Sequence, residues 1–158
     1  RTIQKRFDHI INQLLDIDKA GIVLFIESRW EPYIVHKFRT RLLSLGVNRN
    51  RMLFLRQMPH NRFVSLLRTV NAVLDVFPNS RETTVLLDAV QAGTPVISCP
   101  SLQVYSSFAP ILCKSYGIEK YCIAENQTEF VELAIQMANN VSHRQAFTAQ
   151  LNTVLRNK

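Results

Sequence analysis

Three short stretches of the chain carry residue types from which a ligand site can be built. The first is PNSRETT, residues 78–84, which runs into the helical stretch TTVLLDAVQAG. Thr83 and Thr84 fall at the amino terminus of that helix, where free backbone N–H groups and the helix dipole favour phosphate. Their hydroxyls add two donors. The same pattern also fits a plain Ser/Thr cap. The second is Asp88, set among Leu86, Leu87, Ala89 and Val90, near the apolar face of the same helix. A carboxylate in that position needs a partner. A ribose diol is one, since a carboxylate accepts from both hydroxyls; a salt bridge on the helix flank is another. The third is RQMPHNRF, residues 56–63, where Met58, Pro59, His60 and Phe63 can form a flat apolar wall with exposed main-chain groups, suited to a nucleobase. It reads equally as a strand–helix turn with Phe63 in the core.

Other chemistries find less support. The chain has neither GxGxxG nor GxxxxGKS/T, so neither a dinucleotide fingerprint nor a P-loop is present. His9, His36, His60 and His143 are dispersed, which does not suggest metal ligation, and His60 has no Ser or Cys nucleophile at a recognisable spacing. Cys99, Cys113 and Cys122 form no CxxC pair; an odd count without ligand spacing argues against a disulfide framework and against zinc. Reduced, mostly buried thiols in a cytoplasmic or nuclear protein are expected. The net charge of +7 fits a basic, soluble surface or a phosphorylated partner. The basic residues are scattered with no block of five, which argues against nucleic acid. No apolar run approaches the roughly 20 residues of a membrane-spanning helix, and the first residues, RTIQKRFDH, contain no signal-type segment.

The elements that position these stretches alternate along the chain. Apolar residues at helical spacing mark helices over 2–16, 33–45, 60–70, 83–92, 103–116, 127–140 and 142–156, the last two capped by Asn126 and Ser142. Gly46 stands where a helix C-terminal glycine belongs. Between them lie apolar runs at 22–26, 52–55, 72–76, 95–98 and 121–123. The first of these, within GIVLFIE, has no polar alternation, as in a strand buried on both faces of a parallel sheet. Strand–helix alternation predicts an α/β fold: one mainly parallel, Rossmann-like sheet with helices on both faces. Ligands of such sheets bind beyond the carboxyl ends of the strands, where all three stretches fall. Because the chain opens on a helix, a first strand and a partner domain are expected upstream of Arg1.

The stretch RMLFLRQMPHNRFVSLLRTVNAVLDVFPNSRETTVLLDAVQAGTPVIS resembles the C-terminal catalytic half of the O-GlcNAc transferase family and its bacterial relatives, including protein N-glucosyltransferases. LLDAVQAGTPVIS carries the match best, being similar to the family's D-x-L-x-x-G-x-P segment and following strand; the LD-x-FP stretch at 74–78 precedes it as in the family. The resemblance extends more loosely from Ile3 to Leu151, with GIEKYCIAENQTEFVELAIQMANN similar to the final strand and helices. It implies one half of a GT-B glycosyltransferase, spanning residues 1–158, that holds a UDP-sugar in a cleft against a second Rossmann-like domain. Thr83 and Thr84 would face the diphosphate, Asp88 the ribose, and Met58, His60 and Phe63 the uracil. No metal is implied, because the helix terminus and basic side chains neutralise the phosphates. The acceptor implied is a protein side chain, and the sugar a hexose or N-acetylhexosamine.

The sequence departs from the family at SRETT, where the family often has a histidine at the position of Thr83 within a glycine-containing turn. Here Arg81 must offset Glu82 beside a diphosphate. An arginine usual after the G-x-P strand is replaced near Ser107 and Phe108. The family's catalytic lysine would precede Arg1, so no catalytic residue is expected in this chain, which alone should transfer no sugar. The alternative expectation is a degenerate domain of the same fold that serves as a protein-interaction module.

Overall fold

A computed structural model describes residues 5–27, 32–75, 83–100 and 108–156. The chain divides into two units, residues 1–59 and 60–158.

The first unit begins with helix α1 (Lys5–Ile17). Its apolar stripe, Phe7, Ile10, Ile11, Leu14 and Leu15, is buried, as the spacing predicts. Asp8 is buried on the same helix and meets Arg41 of α2 (Pro32–Ser44). The guanidinium donates through Nε to Oδ2 at 2.6 Å and through Nη2 to Oδ1 at 3.0 Å. Gly46 ends α2 at φ +85°, in the left-handed region open to glycine, and the Val47 N–H donates to the Leu42 carbonyl. Strands β1 (Val23–Glu27) and β2 (Met52–Arg56) run parallel, in register from Val23 with Met52 to Glu27 with Arg56. Just before β2, Arg51 donates to the carbonyls of Leu15, Asp18 and Gly21, tying the α1–β1 turn to the second strand.

One face of this strand pair is well covered. Phe25 stacks on Phe54 at 4.8 Å between ring centroids and meets Phe38 of α2 edge-on at 5.0 Å. The other face is not, which corrects the expectation of a strand buried on both sides. Alternation and register place Ile22, Leu24, Ile26, Leu53 and Leu55 together there. Ile22, Ile26 and Leu53 remain 57%, 42% and 43% exposed. The sequence signal, an unbroken apolar run, reports that both faces are apolar and not that both are covered.

The second unit opens with α3 (His60–Leu67), followed by β3 (Val73–Leu74), α4 (Thr83–Gln91) and β4 (Val96–Ile97). β3 and β4 are parallel, with Val73 opposite Val96 and Leu74 opposite Ile97. Val96, Ile97, Ser98 and Cys99 are buried. Helix α4 buries Leu86, Ala89 and Val90 and ends at Gly93, φ +80°, where the Thr94 N–H returns to the Ala89 carbonyl at 2.8 Å. The Thr94 hydroxyl also donates to the Leu67 carbonyl at 2.6 Å, pinning the α4–β4 turn to α3.

Helices α5 (Ala109–Ser115), α6 (Glu119–Cys122), α7 (Gln127–Asn139) and α8 (Val141–Arg156) complete the unit. The expected helix over 103–116 is seen as α5; residues 101–107 lie outside the described ones. The expected strand at 121–123 is corrected. Gly117 turns the chain at φ +62°, and Glu119–Cys122 coil into one short turn. Only Ile123 extends, as a single parallel bridge to Ser98. Asn126 caps α7 as expected, accepting from the Glu129 N–H at 3.1 Å. The cap of α8 is Asn140 rather than Ser142: its side chain accepts from the His143 N–H at 3.0 Å.

The protein is thus mixed α/β with parallel strands. The single five-stranded sheet is corrected to two parallel pairs, one in each unit, and one bridge, among the described residues. β3 and β4 are short because their ladder narrows to two residue pairs before the chain leaves for the helices.

Candidate functional site

Helix α4 carries three of the residues singled out in sequence. Thr83 is its first residue and half-buried; Thr84 is exposed. Asp88 lies one turn beyond Thr84, four residues on, so the two share a face of the helix. At 3.6 residues per turn, Thr84 and Asp88 lie across the helix from the buried stripe of Leu86, Ala89 and Val90, which corrects the expectation that Asp88 is near the apolar face. The first turn of α4 contains no acidic residue among those described. Glu82, Arg81 and Ser107 lie outside the described residues.

Asp88 has a protein partner. His60, the first residue of α3, places Nε2 2.9 Å from Asp88 Oδ2. The imidazole is 72% exposed and the carboxylate 18%. The contact joins residues from two separate motifs, and it is a salt bridge when the imidazole is protonated. Phe63 follows His60 by three residues on α3 and is half-buried. Met58 belongs to the first unit and is half-buried there. Phe108 is half-buried before α5.

Beneath this surface lies a polar cluster that the sequence reading missed. Asp75 ends β3 and is 5% exposed; Ser98 follows β4 and is fully buried. The Ser98 hydroxyl donates to Asp75 Oδ2 at 2.7 Å. The main chain joins the same residues into the sheet: Asp75 N–H to the Ile97 carbonyl, Ser98 N–H to the Cys122 carbonyl and Ala124 N–H to the Ser98 carbonyl, each 2.8 Å. Cys113 and Cys122 are buried close by. Contact with Cys122 and burial push the Cys113 thiol well above its usual range, and the negative charges of Glu119 and Asp75 add to this. The sequence signal was available: a carboxylate at the end of the apolar run AVLD.

A groove of about 560 Å³ also opens in the second unit, lined by Arg68, Asn71, Thr94, Pro95, Arg144 and Asn152 among others. Asn71 precedes β3 and Pro95 precedes β4, so it lies at the amino ends of the strands. Asp75 and Ser98 mark the opposite, carboxyl ends, where α/β sheets bind ligands. The Arg144 guanidinium in the groove is committed to the Met137 and Ala138 carbonyls at the end of α7. Position in the fold therefore favours the α4 face over this groove as the candidate site.

The arrangement at the carboxyl ends offers a helix amino terminus with two hydroxyls, a carboxylate one turn further on and an imidazole beside it. These groups match a phosphate and a vicinal diol. Among the described residues, no group of His, Cys, Asp and Glu side chains could hold a metal ion, and no helix is long and apolar enough to cross a membrane.

No protein-family model matches the chain, and no curated protein does. Among solved structures, a mutant O-GlcNAc transferase from Thermobaculum terrenum is similar, with a TM-score of 0.84 and 19% identity. The likeness covers 98% of this chain and 30% of that one. At this identity it establishes a shared fold.

Proposed function

We propose that this chain is the UDP-sugar-binding domain of a protein glycosyltransferase of the O-GlcNAc transferase type, one half of a GT-B fold. The observation that carries the proposal is the likeness in fold over nearly the whole chain. The diphosphate lies at the amino terminus of α4 against Thr83 and Thr84. Asp88 accepts from the ribose hydroxyls, and His60 and Phe63 face the uracil. The contact between His60 and Asp88 sets the join between base and ribose subsites. The helix terminus and basic side chains balance the phosphate charge, so no metal takes part.

In the intact enzyme, a second Rossmann-like domain supplies the other wall of the cleft and the catalytic groups. The whole protein transfers a hexose or N-acetylhexosamine to a protein side chain in the cytoplasm or nucleus; this chain alone transfers none.

Calorimetric titration of UDP tests the site. Thr84→Ala removes a hydroxyl donor and leaves the backbone amides. A hydrogen bond to a charged group contributes about 1.5–3 kcal/mol, so UDP affinity should fall by roughly ten- to a hundredfold. A folded full-length protein that binds no UDP would sink the assignment and leave the alternative, a degenerate domain used for protein interaction.

A further inference from the structure

We infer that Asp75 and Ser98 are positioning residues for the nucleotide site, holding the carboxyl ends of β3 and β4 in the register that aims α4. The inference rests on the proposed function above. It starts from the shortness of the ladder. β3 and β4 share two residue pairs, Val73 with Val96 and Leu74 with Ile97. Beyond so short a ladder the strand ends are held by few bonds, the Asp75 N–H to the Ile97 carbonyl among them.

The Ser98 hydroxyl on Asp75 Oδ2 extends the join one residue beyond the ladder, at 2.7 Å and out of water. Ser98 is tied on its other side to Cys122 and Ala124 through the main chain. Three neighbouring segments are thus gathered at one residue. A buried carboxylate is a costly way to join strands, since an apolar pair of similar volume serves stability as well or better. What the hydrogen-bonded pair adds is direction, because a hydrogen bond fixes orientation where apolar contact does not.

The other end of α4 explains why this matters. Its carboxyl terminus is fixed by Thr94, through the Ala89 carbonyl and the Leu67 carbonyl. With that end pinned, the tilt of α4, and with it the placement of Thr83, Thr84 and Asp88, is set by its packing on β4, whose carboxyl end Ser98 ties to Asp75.

The test uses Ser98→Ala, which removes the donor, and Ser98→Thr, which restores a hydroxyl; Asp75→Asn serves if Ser98→Ala does not fold. UDP affinity is measured by calorimetry. Hydrogen exchange is measured without nucleotide at the Leu87 and Asp88 amides, which by helical geometry bond to the Thr83 and Thr84 carbonyls. Ser98→Ala should weaken UDP binding by about tenfold and speed exchange at these two amides by a similar factor, and Ser98→Thr should recover both. A lowered melting temperature, with unchanged affinity of the folded protein and unchanged exchange at Leu87 and Asp88, would overturn the inference. If the wild type binds no UDP, the nucleotide reading fails by itself. The exchange comparison then decides whether the pair aims α4.

Discussion

Replacing Asp88 by asparagine separates a ligand contact from a structural one. The side chain keeps its shape and loses its charge. In the free protein its partner is His60, 2.9 Å away on an imidazole that is 72% exposed. Even with the imidazole protonated, a pair so open to solvent contributes about 0–1 kcal/mol, so the melting temperature should scarcely move. Against a ribose the same change costs more. Hydrogen bonds to a charged acceptor contribute about 1.5–3 kcal/mol and neutral ones about 0.5–1.5 kcal/mol. The difference, about 1–1.5 kcal/mol, corresponds to a loss of roughly five- to tenfold in UDP affinity; Asp88→Ala, which removes the acceptor, should lose about a hundredfold. Titrating UDP and 2′-deoxy-UDP into the wild type and both variants adds a second readout. The wild type should prefer the ribonucleotide, and the preference should shrink in Asp88→Asn and vanish in Asp88→Ala. Equal affinities and equal preference in all three proteins would show that Asp88 serves only His60, and the ribose assignment would fall.

Two further outcomes follow from buried groups. Arg41→Met should destabilise the protein by about 3–5 kcal/mol in chemical denaturation, because it strands the buried Asp8 carboxylate; a loss under about 1 kcal/mol would contradict this account. The three thiols should resist a disulfide reagent in the native protein and all react in denaturant. They are buried, and the raised Cys113 thiol is poor in the reactive thiolate even at alkaline pH; fast native labelling of Cys113 would contradict that.

The helices were legible wherever apolar residues kept a 3.6-residue period. Phe7, Ile10, Ile11, Leu14 and Leu15 all went to the core. YCIA at 121–124 was not legible, because so short an apolar run fits a strand or a buried helical turn equally well. Glycine and a charged pair upstream, Gly117, Glu119 and Lys120, favoured the turn. In the candidate site, the sequence placed Thr83, Thr84 and Asp88 at a helix start. Pairing between distant residues left no local trace: His60 with Asp88 spans 28 residues, Ser98 with Asp75 spans 23, and Arg41 with Asp8 spans 33. Composition suggests that such groups need partners but does not name them.

The open face of the β1–β2 pair has a colloidal consequence. Residues 1–59 carry eleven Lys and Arg against five Asp and Glu, while residues 60–158 carry eight against seven. The adhesive patch of Ile22, Ile26 and Leu53 therefore sits on the stretch with most of the excess positive charge. In dilute buffer, like charges hold two molecules apart at long range, since the screening length is about 30 Å at 0.01 M salt. It shrinks to about 10 Å at 0.1 M, while contact between aliphatic surfaces is undiminished and is strengthened by sulfate. The protein should therefore stay dispersed at low ionic strength and self-associate as salt rises, with the onset set by electrostatic screening and not by unfolding.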